Sequence, residues 1–167
     1  ALIDKMVRGE GERPLVSLMG KTPPACDHFT PDYDFVKQSE YLAPGLVLPF
    51  RASIGCYWSK CRFCPEKAET RPYRSKRPMG VLDDLKKMAT KYRPDHVHFI
   101  DNAVTPAFLN ALATERFDFS WYGFVRFEKP LLSSQFCTDL KTSGCSMLKP
   151  GLESDDQHVL DRMNKGT

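Results

Sequence analysis

Four times between Leu46 and Met163 a short strand-like segment is followed by a stretch with helical apolar spacing. Residues 46–51 read as a first strand, and residues 80–92 as a helix with Val81, Leu82, Leu85, Met88, Ala89 and Tyr92 on one side. A second strand over 95–101 leads to a helix capped by Thr105, with Pro106 in its first turn and Phe108, Leu109 and Leu112 as its stripe. Residues 119–126 are rich in aromatic and β-branched types, as strands are. A helix starting near Ser133 turns Phe136, Cys137 and Leu140 inward and stops at Gly144. A strand over 145–149 comes next, and Ser154 to Gln157 forms a capping box for a helix through Val159, Leu160 and Met163. Strand–helix alternation implies parallel strands joined by helical crossovers. The expected fold is α/β, an incomplete parallel (β/α) barrel of about four units.

Four units do not close a barrel of eight, and the chain does not begin with Met. A piece of a longer protein is expected. Residues 1–40 fit the alternation less well: residues 7–15 open a short helix, and residues 22–41 read as an irregular linker. The expected division is therefore a tail and linker over 1–40 and the barrel portion over 41–167.

The apolar content of 41% and charged content of 27% are those of a soluble globular chain. The apolar run 42–50 is interrupted by Pro44, Gly45 and Pro49, so no membrane span is expected. The start lacks a signal-peptide pattern, which points to a cytoplasmic setting. In a reducing compartment, clustered cysteines favour metal binding over disulfides.

That cluster is Cys56, Cys61 and Cys64, on the segment between the first strand and the first helix. Three thiolates from one loop can hold an iron–sulfur cluster and leave one iron open. Gly55 permits a sharp exit from the strand, and Tyr57, Trp58 and Phe63 can shield a cluster from water. The competing reading is structural zinc, with Cys26 or His28 as fourth ligand and no catalysis. Cys137 and Cys145 fall at core positions, as small apolar residues.

A cysteine triad just after the first strand of a partial (β/α) barrel resembles the radical S-adenosylmethionine (SAM) superfamily. Phe63 before the third cysteine, the segment Phe99-Ile-Asp-Asn102, and Gly151-Leu-Glu-Ser154 followed by Val159-Leu and Met163-Asn-Lys-Gly166 are similar to that family's pattern. The resemblance covers roughly residues 45–167. Residues 8–12 followed by Pro14-Leu15, and Tyr41-Leu-Ala-Pro44, look like the tail and linker of a cobalamin-binding domain, so the branch with such a domain is the nearest. The chain departs from the usual spacing, with four residues between Cys56 and Cys61 where the family commonly has three.

The resemblance implies that Cys56, Cys61 and Cys64 ligate a 4Fe–4S cluster whose open iron is chelated by SAM. Its cleavage gives a 5′-deoxyadenosyl radical. It also implies that the backbone near Phe63 packs on the adenine and that Asp101 and Asn102 meet the methionine amino group. Arg126 would take the methionine carboxylate in bidentate fashion, and Glu153 and Ser154 would bond the ribose or amino group. Alternatively Arg126 and Glu153 pair with each other, and Ser154 is a helix cap. A cobalamin would sit in an upstream domain, serving methyl transfer. The implied partners are a small-molecule or peptide substrate and an electron donor such as flavodoxin or ferredoxin, with no membrane.

His96 and His98 share one strand face and read as packed or hydrogen-bonded histidines, with a metal pair or a base as the alternatives. Lys67, Arg71, Arg74, Lys76 and Arg77 around Tyr73 form a basic loop, the feature a tRNA-modifying member would use; the net charge of +3 is mild.

Overall fold

The structure is a computed structural model, and it describes residues 3–7, 11–23, 31–67 and 73–167. The chain divides into two compact units, residues 1–30 and 31–167. Among its described residues the first holds one helix, α1 (Glu12–Leu18), where a short helix is expected.

The second unit is built on β1 (Val47–Phe50), a hairpin of β2 (Ser53–Ile54) and β3 (Arg74–Ser75), then α2 (Pro78–Tyr92), β4 (His96–Phe99), α3 (Pro106–Ala113), β5 (Ser120–Val125), α4 (Ser134–Thr142), β6 (Cys145–Pro150) and α5 (Gln157–Arg162). β1, β4, β5 and β6 lie side by side in that order, all parallel. This is the expected α/β arrangement, a partial βα barrel. Residues 31–46 are mostly irregular, with a single short 3-10 turn at Gln38–Glu40.

One sheet face is fully packed. Leu48, Phe50, Val97, Phe99, Trp121 and Val125 alternate along the strands and form one core with Val81, Leu82, Leu85 and Met88 of α2, Phe108, Leu109 and Leu112 of α3, and Leu140 of α4. Truncating a buried Leu of this set costs about 2–5 kcal/mol. The opposite face carries His98, Tyr122, Phe124, Met147 and Lys149, with Phe124 and Met147 exposed. Parallel sheets are usually covered on both sides.

The helix starts follow local chemistry. Thr105 caps α3 by accepting from the Phe108 N–H, and Ser133 caps α4 by accepting from that of Phe136. The capping box expected at Ser154 is not formed. Asp156 caps α5, its Oδ1 accepting from His158 and Val159, while the Ser154 hydroxyl accepts from the Asp156 N–H. Aspartate caps as well as serine does, and it stands next to the first helical residue. Cys137 is exposed, not buried: Phe136 and Leu140, four apart, take the inner side of α4 and turn Cys137 away. Cys145 is buried, as expected, and burial pushes its thiol up to about 11.

Candidate active site

The chain leaves β1 at Phe50 and is caught at once by a buried acid beyond β4. Asp101 accepts from the Ala52 N–H at 3.0 Å and from the Ser53 hydroxyl at 2.5 Å. It is 2% exposed, and burial raises its pKa although both bonds oppose the shift. The segment between β2 and β3 is thereby pinned at both ends, by Asp101 and by the antiparallel pairs Ser53–Ser75 and Ile54–Arg74. Gly55 turns the chain at φ +76°, a region open to glycine, and the three cysteines follow.

Cys56, Cys61 and Cys64 are all free; Cys61 is buried and the others half-buried. The Cys64 N–H donates to the Cys61 carbonyl at 3.4 Å, folding the second half of the triad into a turn. Among the described residues, no three His, Cys, Asp or Glu side chains are gathered to hold a single metal ion. Cys26 and His28 lie outside the described residues.

A second element closes on this loop. α5 ends with Asn164 at φ +54°, the Asn164 N–H on the Asp161 carbonyl and the Lys165 N–H on that of Leu160. This is a Schellman turn, and it leaves the following carbonyls without helical partners. The cysteine loop and Arg126 supply them. Arg62 Nη1 donates to the Arg162 carbonyl at 3.2 Å, and the Arg62 N–H to that of Met163 at 2.8 Å. Trp58 Nε1 donates to the Asn164 carbonyl at 3.0 Å, and Arg126 Nη2 to those of Lys165 and Gly166. Five consecutive carbonyls, 162–166, are therefore bound by donors on or beside the cysteine loop.

Arg126 follows directly on β5 and is 5% exposed. Its guanidinium lies 4.5 Å from the centre of the Trp58 ring, and Nη1 is 4.0 Å from Cys61 Sγ. Nε is buried without a hydrogen-bond partner; Glu128 Oε1, at 3.6 Å, is too far for one. The same Glu128 oxygen accepts from the Tyr57 hydroxyl at 2.8 Å, and burial together with that carboxylate holds the Tyr57 pKa above its usual value.

The other expected residues are scattered around this centre. Phe63 is exposed, with Lys165 Nζ 5.8 Å from its ring centre. Glu153 pairs with the buried Lys165 at 3.0 Å, not with Arg126. Asp101 serves the loop entry, Asn102 is exposed, and Ser154 bonds within its own turn. His98 stacks on Tyr122 with centroids 4.4 Å apart, and burial followed by the Lys149 charge lowers its pKa. Of the basic loop, Arg71 lies outside the described residues.

Trp58 and Lys165 were not anticipated in these roles, nor was Arg62. The Asn164-Lys165-Gly166 run is a helix-stop signal, so the turn is legible. Its target lies a hundred residues earlier.

No protein-family model and no curated protein matches the chain. Among solved structures, an apo cobalamin-dependent S-adenosylmethionine radical enzyme, OxsB, is similar with a TM-score of 0.48 and 19% identity, over 72% of this chain and 20% of that one. The chain thus spans a fifth of the length of that protein.

Proposed function

We propose that residues 41–167 carry the cluster-binding part of a radical SAM enzyme. The observation that carries this reading is the position of three free cysteines on the loop leaving the C-terminal end of β1 in a parallel βα sheet, where such folds place their chemistry.

The donor set fits an iron–sulfur group. Three soft sulfur ligands share one loop, and the buried Arg126 guanidinium stands beside them, Nη1 4.0 Å from Cys61 Sγ, suited to an anionic sulfur-rich group. Cys56, Cys61 and Cys64 would hold a 4Fe–4S cluster, and Trp58 and Tyr57 would limit water access. When bound, the cluster supplies the electron that cleaves the sulfonium of SAM.

The chain's own residues divide the remaining work. Asp101 fixes the loop entry. The two bidentate edges of a guanidinium are end-on, Nη1 with Nη2, and side-on, Nε with Nη2. In Arg126 both include the Nη2 that serves Lys165 and Gly166. Fork-like binding of the methionine carboxylate by Arg126 therefore requires those carbonyls to let go. Asn102, Glu153 and Ser154 remain the assigned contacts for the amino and ribose groups. The cobalamin branch, with methyl transfer to a small molecule or peptide and a flavodoxin or ferredoxin donor, rests on the sequence resemblance around residues 8–15.

Anaerobic reconstitution with iron and sulfide tests the reading. Close to four irons per chain, a visible band bleached by dithionite, and 5′-deoxyadenosine released from SAM are expected. Tight zinc with no iron uptake would overturn it in favour of a structural zinc module.

A further inference from the structure

Arg126 is a charged side chain buried at the cysteine loop, and its contacts differ from nitrogen to nitrogen. Nη2 holds the backbone row through the Lys165 and Gly166 carbonyls, which is structural. Nη1 meets the Cys61 sulfur at 4.0 Å, while Nε, buried without a hydrogen bond, stands 3.6 Å from the Glu128 carboxylate. The Trp58 ring beneath and the two carbonyls leave the guanidinium little room to turn.

Resting on the cluster reading above, we propose that Arg126 is a positioning residue for the sulfur centre. Through Cys61 it fixes one corner of the cluster, and its charge raises the cluster's reduction potential. A guanidinium keeps its charge across the working pH range. At 5% exposure that charge is little screened by water, and the Glu128 carboxylate, 3.6 Å from Nε and also bound by the Tyr57 hydroxyl, offsets part of it. Accepting one electron makes the cluster more negative, so a fixed cation and an N–H···S bond stabilise the reduced state more than the oxidised one. A purely structural Arg126 would instead act only through the Lys165 and Gly166 carbonyls.

The two roles separate experimentally. The 167-residue chain, labelled with ¹⁵N-arginine, is reconstituted with iron and sulfide and reduced with dithionite. Pulsed electron paramagnetic resonance should then show an arginine ¹⁵N coupled to the cluster. The midpoint potential should fall in Arg126→Gln and recover in part in Arg126→Lys. Absence of ¹⁵N coupling in the wild-type chain, or an Arg126→Gln potential equal to wild type, overturns the proposal while the iron content leaves the cluster reading standing. Should Arg126→Gln not fold, the wild-type coupling decides. A wild-type chain that takes up no iron removes the cluster reading, and this proposal with it.

Discussion

Gly166 lies against the Trp58 ring so closely that a Cβ on it would come within 2.0 Å of Cζ2. Its φ of +67° is also one that L side chains rarely adopt. Gly166→Ala must therefore displace the segment carrying the Lys165 and Gly166 carbonyls from Arg126. The expected cost is roughly 1–3 kcal/mol, confined to the contact between residues 162–166 and the cysteine loop. Amide exchange at Arg62, whose N–H donates to Met163, should accelerate while that of β4 and β5 does not. Unchanged protection at Arg62 would show that the row does not hold the loop.

Asp101→Asn probes the entry to the loop. The Ala52 N–H and the Ser53 hydroxyl each donate to one carboxylate oxygen, and an amide offers a single acceptor in their place. One donor is left over, at a cost of roughly 1–3 kcal/mol. The pH dependence follows from the raised Asp101 pKa. A carboxyl whose folded pKa lies above its unfolded value gives stability that is complete below the unfolded pKa, near 3.8, and is lost as pH rises through the folded one. The penalty of Asp101→Asn should thus be larger near pH 4 than at pH 7 in paired urea titrations. Equal penalties at the two pH values would contradict the burial argument.

The two exposure classes of cysteine give a third test. Cys137 is exposed, whereas Cys145 is buried with its thiol pushed up to about 11. At pH 8 only about a thousandth of the Cys145 thiol would be thiolate, the form that reacts. Iodoacetamide should modify Cys137 of the native chain far ahead of Cys145, by mass spectrometry of peptides. Parallel labelling of both would place Cys145 outside the core.

The strands and first three helices of the barrel portion were legible because each buries one face against a common core, and burial on one face writes itself as period. Val81, Leu82, Leu85 and Met88 are an example, as are the alternating Val97 and Phe99. Local reading failed where two residues compete for one role, as Ser154 and Asp156 do for the α5 cap. It also failed at Cys137, an apolar type on a helix flank. The cysteine triad was visible by spacing, yet its surroundings were not. The groups that hold the loop are backbone carbonyls of residues 162–166, and a carbonyl has no residue type to read. Arg126 could be named from its place at the end of a strand, but that its Nη2 was already engaged required the folded chain.

Phe99 joins the core to the site. It is fully buried and makes edge-on ring contacts with Phe50 at 6.1 Å, Phe108 at 5.4 Å and Trp121 at 5.5 Å. Two residues further along, Asp101 grips the loop entry, so the seating of Phe99 sets where that carboxylate stands. Phe99→Ala removes the ring from all three partners and should cost about 3–5 kcal/mol. Phe99→Leu keeps most of the apolar volume and loses the ring pairs, each worth about 0.5–1.5 kcal/mol, so its cost should be smaller. Urea unfolding orders the two variants. Hydrogen exchange at Ala52 reads the link to the loop: it should rise in Phe99→Ala by more than the global loss of stability explains, because the acceptor on Asp101 shifts with its strand. A rise no larger than the global loss would mean that the loop entry is held independently of the aromatic core.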